Sequence, residues 1–245
     1  WYENPGDGSP NWKEHSFGLA GEGSEVKDME ALDVDRDGTV DLAVRLSHHF
    51  IVYYKNKDGS SERHDTEVQQ REGMLMVDVD GDRDKDAVLN GFWLENPSTR
   101  REPTRGSNWK RHDIAPDFYA EGTQPPTAAR WRDFAARIAA GDFDGDNRID
   151  IAFSHAEHAG FPVAIYKTEN PKGGAEAWTK EPLGVVDFAH TLQAGDLDGD
   201  GRLDLFAAGT VHKGESRYTI FINHTRYFER YEIAESGPAY AARLE

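Results

Sequence analysis

Asp196-Leu197-Asp198-Gly199-Asp200-Gly201-Arg202-Leu203-Asp204 decides the fold, because this stretch recurs. The same nine-residue pattern runs from Asp33 to Asp41, from Asp78 to Asp86 and from Asp142 to Asp150, with starts 45, 64 and 54 residues apart. Each copy sits between two short apolar runs. Leu192-Gln193-Ala194-Gly195 precedes the last copy and Leu205-Phe206-Ala207-Ala208 follows it, and the other three copies are flanked in the same way. These flanks have the length of strands rather than helices.

Working outward, an aromatic strand ending in Asn comes next: Val52-Tyr53-Tyr54-Lys55-Asn56, Phe92-Trp93-Leu94-Glu95-Asn96, Ile165 to Asn170 and Ile220-Phe221-Ile222-Asn223. A last strand then carries Glu62-Arg63-His64, Trp109-Lys110-Arg111-His112, Trp178-Thr179-Lys180-Glu181 or Phe228-Glu229-Arg230-Tyr231. Four short strands repeated at this period predict an all-β fold, a β-propeller of four-stranded blades, with no convincing helix beyond residues 128–136. The units fall at about 20–66, 67–115, 116–184 and 185–235, after a partial unit at 1–19 that supplies two outer strands. Residues 236–245 resemble an inner strand, so the two ends are expected either to share a fifth blade or to belong to a larger ring, commonly of seven blades.

Within each nine-residue copy, positions 1, 3, 5 and 9 are Asp: Asp33, Asp35, Asp37 and Asp41; Asp78, Asp80, Asp82 and Asp86; Asp142, Asp144, Asp146 and Asp150; Asp196, Asp198, Asp200 and Asp204. Hard oxygen ligands at alternating positions of a tight loop suit calcium, and the backbone carbonyl of position 7 (Thr39, Asp84, Arg148, Arg202) completes the expected set. Up to four Ca²⁺ ions are expected, one per loop. An EF-hand is excluded, since its closing Glu would stand at Val44, Leu89, Phe153 or Ala207. Gly38, Asn147 and Gly201 suit a left-handed bend at position 6, whereas Arg83 does not, so the second loop is expected to bind most weakly.

This pattern closely resembles the FG-GAP and VCBS repeat family over nearly the whole chain. The resemblance implies a β-propeller with a calcium loop between the first and second strand of each blade, and it carries the sixteen Asp residues over as ligands. The Phe-Gly and Gly-Ala-Pro signatures are not evident, which favours a bacterial secreted VCBS-type protein over an integrin-type head. The family includes adhesion and lectin-like modules, polysaccharide lyases and sugar dehydratases, so membership does not choose a function.

Composition narrows the partners. The formal charge of -17, from 45 acidic and 28 basic residues, opposes nucleic acid and anionic membrane surfaces. No apolar run is long enough to insert in a membrane as a helix, and no cysteine is available for disulfides or thiol chemistry. The first residues, Trp1-Tyr2-Glu3-Asn4-Pro5, are not a signal peptide, and the chain reads as an excised or processed piece. Several calcium sites fill reliably where calcium is millimolar, so an extracellular or periplasmic location is expected.

The loops joining the second and third strands should lie opposite the acidic loops. They hold His49, His158 and His212 at a shared offset, with His155 and Glu157 beside them, while Lys27, Asp28, Glu72, Arg137 and His190 start the inner strands. His155, His158, His190 and Arg137 are the candidate catalytic groups, and this face is also the candidate site for a second metal such as Zn²⁺. The bland alternative is a set of solvated histidines inherited by duplication. Trp12, Trp109 and Trp178 are expected to pack on outer strands, and Trp93 and Tyr166 in the core. Tyr119 and Trp131 fall in an insertion at 116–133, a candidate ligand-binding lid, and with His49, Glu157 and His212 of the histidine-bearing loops they are the candidate ligand-binding residues. The leading expectation is carbohydrate or polysaccharide recognition. The alternatives are a sugar lyase or dehydratase and a structural or protein-binding propeller.

Overall fold

In the computed structural model the described residues are 2–15, 25–69, 72–98, 104–106, 108–116, 135–209 and 216–236. A short pair, β1 (Tyr2–Glu3) and β2 (Lys13–Glu14), is followed by four four-stranded sheets. The first blade is β3 (Val26–Leu32), β4 (Asp41–Leu46), β5 (His49–Lys55) and β6 (Ser61–Glu67). The second is β7 (Leu75–Val77), β8 (Asp86–Val88), β9 (Phe92–Glu95) and β10 (Lys110–Asp113). The third is β11 (Ala136–Gly141), β12 (Asp150–His155), β13 (Pro162–Lys167) and β14 (Thr179–Val185), and the fourth is β15 (Ala189–Gly195), β16 (Asp204–Gly209), β17 (Ser216–Asn223) and β18 (Phe228–Ser236).

Every sheet is an antiparallel meander in sequence order, and each acidic loop joins the first strand to the second, as the repeat predicts. Among the described residues the only helix is a single turn at Ala175–Ala177. Residues 128–134 lie outside the described residues, and Ala136 opens a strand.

The core lies between the sheets. Second strands are apolar at consecutive positions because successive side chains leave opposite faces, and both faces are covered. On β4 and β5, Ala43 and Val52 turn toward the second blade, where they meet Met76, Ala87 and Leu94; Val44 and Ile51 turn the other way into a separate cluster with Leu46 and Tyr53. The second and third blades share Val88, Trp93, Phe153, Tyr166 and Trp178, and the third and fourth share Ala152, Ile165, Leu192, Leu205 and Phe221. Trp93, Tyr166, Trp109 and Trp178 are therefore packing residues, as the repeat suggests. Trp12 is not: it is half exposed beside β2, which among the described residues belongs to a sheet of two strands.

The inner strands approach one another at one end. Glu72 and Ala135 form an isolated parallel bridge, and the Ala136 amide donates to the Glu72 carbonyl at 3.1 Å. Gly73 permits this approach, since a Cβ there would stand 2.7 Å from the Ala136 carbonyl oxygen and its φ is 119°. This junction brings the starts of β7 and β11 together and sets the geometry of the histidine-bearing face.

Candidate metal centres and the inner-strand polar cluster

The four acidic loops share one hydrogen-bond plan. The first Asp turns back on the loop: Asp33, Asp78, Asp142 and Asp196 each accept, through Oδ2, the amide of position 6 at 2.8 to 2.9 Å. The fifth-position Asp accepts the amide of position 7, which belongs to Thr39, Asp84, Arg148 or Arg202. Two left-handed residues bend each loop, at positions 4 and 6. Gly199 and Gly201 hold them in the fourth loop and Gly145 and Asn147 in the third, whereas Arg36 (φ 63°) and Arg83 (φ 77°) occupy one each in the first and second. Arg83 thus adopts the left-handed conformation that its side chain disfavours.

The ninth Asp has a different task. Asp41, Asp86, Asp150 and Asp204 are at most 2% exposed, and each accepts through Oδ2 the amide of position 2, from Val34, Val79, Phe143 or Leu197 at 2.7 to 3.0 Å. In three blades the second oxygen, Oδ1, takes the amide at the end of the third strand, from Lys55, Asn96 or Asn223. This carboxylate ties loop, second strand and third strand together.

Carboxylate oxygens of Asp33, Asp35 and Asp37, of Asp78, Asp80 and Asp86, of Asp142, Asp144 and Asp146, and of Asp196, Asp198 and Asp204 converge within 4.8 Å of one another. Oδ1 of Asp144 and of Asp33 is buried without a hydrogen-bond donor. Burial, reinforced by neighbouring carboxylates, pushes Asp84 up to about 8 and Asp86 and Asp150 up to about 7. Crowded, desolvated carboxylates with an unfilled oxygen fit a hard divalent cation. The cations already near the loops differ. Arg105 stands on Asp35 and Asp37, Lys172 is 2.6 Å from Asp80, and in the third loop Lys167 is 3.8 Å from Asp144.

On the opposite face, four blades contribute to one polar cluster. Lys27 of the first blade is 3.7 Å from Glu72, and Asp28 accepts the Gly73 amide at 2.9 Å. Arg137 on β11 donates through Nε to the His190 carbonyl at 2.9 Å, and His190 Nε2 lies 3.2 Å from Glu157 Oε1. Burial raises Asp28 and Glu72 above the usual carboxylate range, against the pull of Arg137. Farther along the same inner strands a cavity of about 330 Å³ is lined by Leu75, Ile138, Ala139, Ala140, Leu192, Gln193 and Ala194.

Of the residues singled out in the sequence, Arg137, Glu157 and His190 meet here. His155 ends β12, buried against Phe161 with ring centroids 4.2 Å apart, and His158 lies 6.3 Å from it. Burial drives His155 down to about 3, so it is neutral. His49 does not join them: its Nδ1 pairs with Asp65 at 2.8 Å across β5 and β6. His212, Tyr119 and Trp131 lie outside the described residues. Among the described residues, the groups of three or more acidic or histidine ligands close enough to hold a metal are the four acidic loops, so the histidine face supplies no Zn²⁺ site there.

Sequence reasoning missed the Asn that ends the third strand. Asn96 Nδ2 donates to the Val34 carbonyl of the preceding blade and to Lys85, and Asn223 Nδ2 donates to Phe143 of the preceding blade and to Leu203. Its recurrence at the end of the third strand in each repeat is the available signal.

Residues 142–207 match the family model for the FG-GAP-like repeat. Cartilage acidic protein 1 of Xenopus tropicalis is 25% identical over 174 residues, which cover 68% of this chain and 26% of that protein, so the chain spans about a quarter of that relative. Two solved structures with lower similarity are the Photorhabdus luminescens Tc holotoxin pore (16% identity, TM-score 0.41, 93% of this chain and 10% of that one) and the V. cholerae biofilm matrix protein Bap1 (17%, 0.39, 84% and 36%). The matched stretch, with its acidic loop joining the first two strands of a four-stranded sheet, is similar to the FG-GAP-like repeat, and the same loop and sheet recur in the other three blades.

Proposed function

We propose that the chain is a calcium-stabilised propeller module that works outside the cytoplasm and binds carbohydrate at the polar cluster where the inner strands begin. The observation that carries the binding reading is the cluster of Lys27, Asp28, Glu72, Arg137, Glu157 and His190, drawn from four blades. Cationic donors and carboxylate acceptors alternate there with nearly balanced charge. Hydroxyl groups, which both donate and accept, match such a set better than a strongly charged ligand does.

Calcium suits the loops because their side-chain ligands are all oxygen and their bends are built for a compact turn. Sites of this kind fill where calcium is abundant, which supports an extracellular or periplasmic setting. Titration of neutral and uronate-containing oligosaccharides by calorimetry, in calcium, tests the binding reading. Saturable binding lost in Arg137→Ala and Glu157→Gln is expected; no heat with any sugar class overturns it.

A second reading rests on the Glu157–His190 pair beside Arg137, since a carboxylate-paired imidazole next to a guanidinium suits proton abstraction from a sugar acid. Under that reading uronate polymers are cleaved with appearance of an unsaturated product, and H190A abolishes it.

A further inference from the structure

The acidic loops are not equivalent, and the difference lies in what the next blade puts into them. The segment between β9 and β10 carries Arg105 back onto the first loop. Its guanidinium hydrogen-bonds Asp35 through Nε and the Asn56 side-chain oxygen through Nη1, and Nη2 lies 3.1 Å from Asp37 Oδ2. The Tyr54 ring flanks it, with the guanidinium carbon 5.4 Å from the ring centroid. Asp35 and Tyr54 are 2% and 0% exposed. Two carboxylates, an amide oxygen and an aromatic face are an environment shaped for a planar, fork-like cation.

We propose that the first acidic loop is a guanidinium socket filled by Arg105, and that divalent cations bind at the other acidic loops, foremost those of the third and fourth blades. The proposal rests on the calcium reading of the loops. Two of the three converging carboxylates in the first loop already face a cation, which leaves Asp33 alone for a metal. A calcium ion entering there would have to displace a guanidinium that is 20% exposed and strand it beside its former partners.

Among the described residues, no guanidinium from another blade hydrogen-bonds the carboxylates of the other loops; Arg36 of the first blade comes nearest, 3.7 Å from Asp82 and 3.6 Å from Asp84 in the second. In the third, Arg148 belongs to the loop itself, is 43% exposed and pairs with Asp146, while Lys167 stays 3.8 Å from Asp144. In the fourth, Arg202 likewise pairs within its own loop, with Asp200. The second loop is intermediate. Lys172 from the third blade touches Asp80 and Glu95 at 2.6 Å, but it is a flexible ammonium, 43% exposed, that a dication displaces more readily than a buried fork. The first acidic loop is thus held by a side chain from the next blade, whereas among the described residues the third and fourth loops carry only cations of their own blades.

Calcium counting by calorimetry on the full chain, after chelation, tests this in four proteins. Asp142→Asn is expected to lose one equivalent, Asp37→Asn to lose none, and Arg105→Ala to gain one. Arg105→Ala should also melt below the wild type in chelator, with the gap narrowing in excess calcium as metal takes the vacated socket. Loss of an equivalent in D37N, or a melting gap indifferent to calcium, overturns the proposal. Calcium binding unchanged in D142N overturns the calcium reading instead, and no calcium binding at all overturns both. Should R105A fail to fold, the count in D37N decides alone.

Discussion

Asn223 reaches across the boundary between two blades and donates from Nδ2 to the Phe143 carbonyl at 2.7 Å. The same amide group donates to Leu203 within its own blade at 3.1 Å, while its Oδ1 accepts the Thr225 amide and its backbone N–H is spent on Asp204. Phe143 belongs to the acidic loop of the third blade, so one side chain fixes the position of a neighbouring acidic loop. Asn96 does the same for Val34 in the first blade. The acidic loops are held from outside as well as by their own hydrogen bonds.

Asn223→Ala is therefore expected to be costly. Asn223 is 1% exposed, and truncation leaves the Phe143 and Leu203 carbonyls short of a donor in a buried site. An unsatisfied buried group costs about 1–3 kcal/mol, so urea unfolding should show a loss of about that size or somewhat more. Asn223→Asp, which keeps the shape but cannot donate, should lose as much; a loss confined to the Ala variant would mean that packing rather than donation matters.

Position 9 and position 3 of the loop should separate in a chelator experiment. Asp204 is fully buried and accepts the Leu197 and Asn223 amides at 2.7 and 2.8 Å. Asp204→Ala strands both donors and should cost about 2–5 kcal/mol with or without calcium. Asp198 is exposed and accepts only the Asp200 amide at 3.1 Å. Asp198→Asn should match the wild type in chelator and fall behind it only when calcium is added, as binding to the native state alone requires. Equal behaviour of the two variants would show that both Asp residues serve the metal, or that neither does.

The repeat of Asp at positions 1, 3, 5 and 9 made the sheets and loops legible, because a nine-residue spacing survives any change of surroundings. What it could not convey is which atoms of each Asp are already engaged. Asp41, Asp86, Asp150 and Asp204 look identical to their neighbours in sequence, yet burial and backbone amides, one for Asp150 and two for each of the others, turn them inward. Arg105 carries no local signal, since its partners Asp35 and Asp37 are 70 and 68 residues away. His49 shared an offset with His158, but the partner that claims it, Asp65, is set by the pairing of β5 with β6. Local pattern is read directly; contacts made by folding between blades are not.

Backbone strain in the second loop offers a gain-of-stability test. Arg83 is exposed with φ 77° at position 6, where the fourth loop has Gly201 at φ 85°. A side chain in the left-handed region costs about 1–2 kcal/mol relative to Gly, partly offset by the greater freedom of Gly in the unfolded chain. Arg83→Gly should therefore stabilise by about 0.5–1 kcal/mol in urea melts, and Gly201→Ala should destabilise by about 1 kcal/mol. Destabilisation by Arg83→Gly would mean that its side chain makes a contact outweighing the strain.

The pH dependence of stability should carry a signature of His155. Burial lowers this imidazole from 6.5 to about 3, so between these values the unfolded chain takes up a proton that the folded chain refuses. Where the unfolded state binds more protons, stability falls as pH falls, with a slope of at most about 1.4 kcal/mol per pH unit for one group. Asp28 and Glu72 act in the opposite sense, since burial raises them and the folded state gains by binding protons as pH drops toward the ordinary carboxylate range. Comparison with His155→Phe isolates the histidine, because both proteins keep the carboxylates and the new ring still packs on Phe161. Urea melts at fixed calcium should give a constant difference above pH 7 and a wild type that loses ground to the variant steadily as pH falls below about 6.5. Parallel curves through that range would mean that His155 takes up its proton in the folded protein.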